Sequence, residues 1–276
     1  MARIRWLVVI VIAAALGQPG PGAAQSTCAA QPVSYPSDGL RITGVLMRPP
    51  GDGRFPAVIY AHSSKRPHVQ RPTLEAGTPC FPFVTERGWI YFVPDRRGYG
   101  RSEGQTMASA LGDRAGLLLL LAVRSRYQQE ADDLLAGVEY LRRLPYVDST
   151  RIGIAGYSLG GQITFLAAAA KPDAFRAVII QGTGSGQYNR LLLAEMANVA
   201  QTITAPVLIQ HAQDDEDVPL RFSQDLANAL KRMGKDVTLR VYEGKHELFA
   251  SEPRGPAGEW GKDLLDFFAR QFAAGR

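Results

Sequence analysis

The 276-residue sequence predicts an α/β domain, a mostly parallel sheet of about eight strands with helices packed on it. Three observations lead there. Short continuous apolar runs recur along the chain, as strands buried on both faces require. Helical patterns separate them from residue 130 onward. The connections are short apart from 62–79 and 103–129, with no internal repeat and no interdomain linker.

The elements follow in order. Residues 33–35 and 41–47 flank Ser37-Asp38-Gly39, a turn signal, and read as an antiparallel hairpin. Residues 57–61 form a short apolar strand bounded by Pro56 and His62, and 89–93 form another stopped by Pro94. The clearest helix covers 130–144. Ala131, Leu134, Leu135, Val138, Leu141 and Leu144 fall on one stripe at spacings of three and four, and Pro145 ends it. A strand at 151–155 runs into an Ala-rich helix at 159–170, which stops at Lys171-Pro172. Strands at 177–180 and 207–210 are continuous and apolar. A helix at 222–233 is closed by Gly234, residues 237–242 alternate as a strand, and 259–272 make a final amphipathic helix. The apolar run 116–123 reads as buried or as lining a site, because an exposed patch that greasy would invite aggregation.

Residues 1–24 differ in kind. Arg3 and Arg5 precede an apolar run over 6–16, then a Gly/Pro stretch and small residues ending at Ala23-Ala24, the layout of a secretory signal peptide. The run is about half the ~20 residues a spanning helix needs. Cleavage after Ala24 is therefore expected, leaving 25–276 as one secreted or periplasmic domain with no stable membrane span. The formal charge of +5 drops to near +3 without Arg3 and Arg5, and the basic residues are scattered, so no nucleic-acid partner is expected. Cys28 and Cys80 are an even pair in a chain expected to be exported, and a disulfide would pin the mature N-terminus to the body; two free buried thiols are the alternative. The sequence has no CxxC, no HExxH and no clustered Cys/His set, so neither a metal nor another cofactor is expected. It does not indicate an oligomeric state.

The strongest local signal is Gly156-Tyr157-Ser158-Leu159-Gly160-Gly161, a G-x-S-x-G motif with a β-branched strand running in and a helix running out. A serine on such a turn adopts a strained backbone, so its neighbours carry little side chain. The turn lifts the Ser158 hydroxyl above the sheet edge and aims the Leu159 amide at a developing oxyanion. A serine hydroxyl needs a base to take its proton. Of four histidines only His211 and His246 follow Ser158, and His246 sits in a loop after the last strand, where its ring can reach back over the sheet. An acid should hold that ring. Asp214, Asp215, Glu216 and Asp217 crowd the loop after 207–210, and spacing alone does not choose among them. A second oxyanion donor belongs in the loop after 57–61, where the amide of Ser63 or Ser64 is the candidate. His62 reads first as a structural hydrogen-bonding residue, and with Tyr157 it is kept as a pocket candidate.

From about residue 33 to 272 the chain resembles α/β-hydrolases of the dienelactone hydrolase and prolyl oligopeptidase-like group. Asp95-Arg96-Arg97-Gly98-Tyr99-Gly100-Arg101-Ser102-Glu103-Gly104 is similar to that group's D-x-R-G-x-G-x-S-x-G loop. Tyr146-Val147-Asp148 and the run from Arg151 to Gly161 resemble its approach to the serine turn. The resemblance implies an α/β-hydrolase fold with a small cap or none. Its H-G-x-x-D-x-x-V-P loop, laid on 211–219, implies Asp215 as the acid, and its histidine matches His246. Ser63 stands where the group carries glycine, and Ser158 where dienelactone hydrolases proper carry cysteine.

The reading that results is a serine hydrolase acting on a small ester through an acyl-enzyme, with Ser158, His246 and Asp215 as its triad. A peptidase cleaving short peptides with the same triad is the rival, although the chain has no room for a peptide-filtering propeller. A silent binding protein on the same fold is the third reading, and a lipase using 116–123 as an interfacial surface is the fourth.

Overall fold

In the computed structural model, the described residues are 28–63, 76–78, 80–81, 86–186, 188–249 and 258–274. The expected leader, Ser64 and most of the loop 62–79 lie outside them. One eight-stranded sheet runs through the molecule: β1 (Gln31–Ser37), β2 (Leu40–Met47), β3 (Phe55–Ala61), β4 (Ile90–Pro94), β5 (Val147–Tyr157), β6 (Ala177–Gln181), β7 (Val207–Ala212) and β8 (Val237–Tyr242). The spatial order is β1-β2-β4-β3-β5-β6-β7-β8. The first two strands pair antiparallel and β2 pairs antiparallel with β4, while every later pairing is parallel. The mostly parallel eight-stranded sheet expected from the apolar runs is what forms.

Among the described residues six α-helices follow in chain order: α1 (Met107–Leu111), α2 (Gly116–Arg143), α3 (Leu159–Ala170), α4 (Arg190–Val199), α5 (Leu220–Arg232) and α6 (Gly258–Ala273). Strand alternation explains the layering. Ile59, Phe92, Ile152 and Ile154 point to the face covered by α2, α3 and α5, where Leu134, Ile163 and Phe222 meet them. Tyr60, Tyr91, Val93 and Ala155 point to the opposite face, where Trp260, Leu264 and Phe268 of α6 close the second core. Each fully buried side chain of this size contributes about 1.5–3 kcal/mol relative to exposure. Cys28 and Cys80 are joined with their Cα atoms 5.3 Å apart. Their backbones also pair, since the Cys80 amide donates to the Cys28 carbonyl.

Helix α2 corrects two expectations. The stretch 103–129 is not a long loop, because it contains α1 and the first half of α2. Residues 116–123 are not buried either: Leu117 and Leu118 are 68% and 67% exposed, and Leu120 and Leu121 are each half exposed. Consecutive leucines show no period, so no apolar stripe marks that half of the helix, yet Leu, Ala, Arg and Gln are strong helix formers. The run can stay exposed because α2 is positioned by its other half and not by these leucines.

That hold is ionic as well as apolar. Arg96 grips Glu130 through two donors, and Arg126 reaches Glu130 at 2.7 Å from the preceding turn of α2. Arg97 pairs with Asp133 at 2.7 Å. Burial alone would raise the Glu130 carboxyl, but the two guanidiniums outweigh it and hold it below its ordinary range. At Asp133 burial wins over Arg97, and the carboxyl is raised. In the same loop Asp95 accepts from the Thr43 hydroxyl, and Ser102 donates to the Asp95 carbonyl. The conspicuous loop at 95–104 is thus a clamp between β2, β4 and α2.

Candidate active site

β5 runs directly into Ser158, and α3 starts one residue later. Ser158 has φ 55° and ψ −120°, one of only two non-glycine residues at positive φ among the described residues. Such a conformation costs on the order of 1–3 kcal/mol and persists only when its surroundings enforce it. Enforcement is visible: the Ser158 amide donates to the Gln181 carbonyl of β6, and Gly161 donates back to the Ser158 carbonyl. Gly160 is needed for close approach. A Cβ there would sit 2.0 Å from the Ala61 carbonyl oxygen and 2.7 Å from that of His62, so α3 could not seat against the end of β3. Leu159 occupies the first turn of α3, where backbone amides have no partner within the helix.

His246 opens a short 3-10 turn, His246–Phe249, just past β8. Its ring is buried, with Nδ1 donating to Asp215 Oδ2 at 2.7 Å and Nε2 accepting from the Ser158 hydroxyl at 3.1 Å. Of the four crowded carboxylates, Asp215 is the one turned inward. Its second oxygen accepts the amides of Asp217 and Val218, so both carboxylate oxygens have partners. Asp217 stands 3.9 Å from His246 Nε2 and is half exposed, while Glu216 pairs with Lys245 at the surface. The acid and histidine loops are also tied together, because the Asp214 amide donates to the Gly244 carbonyl.

Two supporting residues escaped sequence reasoning. His211 is fully buried below the acid loop; its Nε2 donates to the Val218 carbonyl and its Nδ1 accepts from the Ser223 hydroxyl. Burial lowers its pKa, so the ring stays neutral beside Asp215 Oδ2, 3.4 Å away. Tyr157 does not face the pocket. Its hydroxyl donates to the His246 carbonyl at 2.9 Å and its ring lies 5.0 Å from the imidazole, while burial and nearby carboxylates raise its pKa. Tyr157 therefore braces the histidine loop. The signal available was its place beside the serine on a strand face, but nothing local says which loop covers that face.

His62 likewise supports rather than lines the site. Nε2 accepts the Arg96 amide at 3.2 Å and Nδ1 donates to the Ser63 carbonyl, which links the loop after β3 to the arginine clamp. Ser63 lies where the second oxyanion donor is expected, and its hydroxyl oxygen is buried with no hydrogen-bond partner among the described residues.

A cavity of about 1010 Å³ opens at Ser158 and His246. Met107 and Leu111 of α1, Leu120 and Val123 of α2, and Leu191 and Leu192 of α4 form much of its apolar wall. The run 116–123 thus does line the site through Leu120 and Val123, while Leu117, Leu118 and Leu121 are exposed. Arg124 and Glu195 pair at 2.9 Å between α2 and α4. Among the described residues no helix is long and apolar enough to cross a membrane.

Comparison with known proteins agrees with this architecture. A curated protein of Methylorubrum extorquens, described as a putative carboxymethylenebutenolidase, is 30% identical over 149 residues, spanning 52% of this chain and 51% of its own. Among solved structures, the acylaminoacyl peptidase of Pyrococcus horikoshii superposes with a TM-score of 0.67 at 21% identity, covering 91% of this chain. The chain spans only 43% of that peptidase. An esterase of Pyrococcus furiosus superposes with a TM-score of 0.61 at 18% identity, covering 87% of this chain and 92% of its own. At such identities the two structures establish the α/β-hydrolase fold alone. The profile of the dienelactone hydrolase family matches residues 83–265. That match takes in the clamp loop, the serine turn and the acid and histidine loops alike, and the chain therefore belongs to the dienelactone hydrolase family of hydrolases.

Proposed function

We propose that the protein is an exported serine hydrolase that cleaves carboxylic esters by two-step acyl transfer. One observation carries the reading: an unbroken hydrogen-bond chain from Asp215 through His246 to Ser158, ending at the mouth of an open cavity. Ser158 attacks the ester carbonyl as His246 takes its proton, and Asp215 holds the ring in the tautomer with its proton on Nδ1. The oxyanion is met by the Leu159 amide and by the backbone amide of Ser63 or Ser64, each such donor being worth about 3 kcal/mol. His246 then protonates the leaving alkoxide, and water releases the acyl group by the same route.

Esters are preferred to peptides for a chemical reason. An alkoxide leaves more readily than an amine anion, and much of the cavity wall is apolar side chain, which suits the hydrocarbon parts of an ester. The peptidase reading draws on the P. horikoshii structure, and aminoacyl anilides cleaved faster than short p-nitrophenyl esters would establish it. Export draws on the composition of the first 24 residues and on the Cys28–Cys80 bond, which persists in oxidising compartments. Recovery of the protein outside the cytoplasm with Gln25 at its N-terminus checks it.

The decisive experiment is labelling with a fluorophosphonate. Intact protein should take one label at Ser158, and Ser158→Ala should lose both label and esterase activity by roughly 10⁴-fold or more. Esterase activity retained in Ser158→Ala defeats the proposal.

A further inference from the structure

The cavity at Ser158 does not stand alone. A second one, about 420 Å³, adjoins it between α2, α3 and α4, and Phe165, Leu166, Met196 and Val199 line it. The two cavities share Leu120, Val123 and Leu192, together with Tyr127, Gln162 and the Arg124–Glu195 pair, so an apolar strip flanked by polar groups continues from the serine into the space behind it. Neither the hydrogen-bond chain nor the oxyanion donors use this second space.

We propose that it is an acyl-chain compartment, and that the enzyme's substrates are esters of unbranched aliphatic acids of medium length. This inference rests on the proposed serine esterase activity and names its substrate class. Three features support it. The first is chemistry: the residues unique to the second cavity are mostly apolar, as a chain of methylenes requires. The second is charge. Among the described residues lining the two cavities Arg124 is the only cation, and Glu195 neutralises it at 2.9 Å, so a carboxylated or phosphorylated substrate finds no free counter-charge.

The third is length. Leu159 and Leu166 are the two ends of the path along α3. Seven residues of helix rise roughly 10 Å at 1.5 Å per residue. An extended chain advances about 1.2 Å per bond, taken from the 3.3–3.6 Å span of a three-bond residue. A chain of about eight carbons therefore reaches from the serine to Leu166. Acetyl and butyryl groups stop in the first cavity.

The test is the ratio of kcat/KM for p-nitrophenyl octanoate to that for the acetate, measured below the concentration at which the octanoate forms micelles. Burying a methylene is worth at most about fourfold in rate. Since part of each gain is lost to chain ordering, the expected ratio is about ten or more in the native enzyme. Val199→Trp and Leu166→Trp fill the second cavity from two helices and should each cut that ratio about tenfold. Two variants are used because either could perturb packing, and circular dichroism identifies one that does. The native series needs no variant and still decides the matter.

A ratio that is flat or falls with chain length overturns the compartment while leaving the esterase reading intact. So does a ratio that survives both tryptophans in folded protein. Octanoate activity that appears only above the micellar threshold overturns it too, and would assign the role to the exposed Leu117–Leu118 surface instead. Loss of Ser158-dependent hydrolysis on every ester is a different failure, because it removes the esterase reading itself.

Discussion

Helix α2 joins two regions built on different terms. From Glu130 onward it is fixed twice: Ala131, Leu134, Val138 and Leu141 are buried against the sheet, and Arg96 and Arg126 hold Glu130 from the side. From Gly116 to Val123 the same helix leaves Leu117 and Leu118 largely in solvent, and it touches the site only through Leu120 and Val123. The anchored half gives the helix its position, so the other half can be apolar and exposed without unravelling. Stability resides below, and shape at the cavity resides above.

Two substitutions test that division, and a third, in the acid loop, sets the scale of a direct loss at the site. Asp215→Asn should have the largest effect, because the asparagine leaves His246 in the wrong tautomer. A fall of about 10⁴-fold in kcat is expected with the melting temperature nearly unchanged. A loss of only a fewfold would mean that Asp217, 3.9 Å from His246, can serve as the acid.

Glu130→Gln comes next. It leaves two buried guanidiniums with a neutral partner, and breaking a buried ion pair by removing one member costs about 3–5 kcal/mol. For a domain of this size that should lower the melting temperature by about 10 °C. The clamp loop also carries the Arg96 amide that holds His62, so kcat should fall too. An unchanged melting curve would show that apolar packing alone anchors α2.

Leu118→Ser should matter least. A change at an exposed site away from any cap or network stays within about 0.5 kcal/mol. Light scattering should show less self-association, since an exposed apolar patch is removed. A destabilisation above 1 kcal/mol would erase the contrast between the halves and indicate that this face is covered in solution.

Much of the fold was legible from local pattern. Apolar runs such as 177–180 and 207–210 mark buried parallel strands because both faces are covered, and the stripe from Ala131 to Leu144 marks a helix because only one face is. The start of α2 was not legible, since unbroken leucines have no period to read. Tyr157 reads as a pocket candidate for a related reason, whereas His62 takes the hydrogen-bonding role first read for it. Being next to Ser158 or at the end of a strand says that a side chain is near the site, not whether it faces the cavity or braces a loop.

What the sequence determined by itself is local: the serine turn with its small neighbours, the order of serine, acid and histidine, and the alternation that buries the sheet. These follow from backbone sterics and side-chain period, which act over a few residues. Spacing left four carboxylates open and the family resemblance pointed to Asp215; the tertiary structure brings Asp215 onto His246 across 31 residues of chain and Ser158 to the same ring from 88 residues away. It also decided that α2, α3 and α4 leave a second apolar space beside the first. A cavity is the gap between surfaces that belong to distant segments, and no segment carries the pattern of a gap.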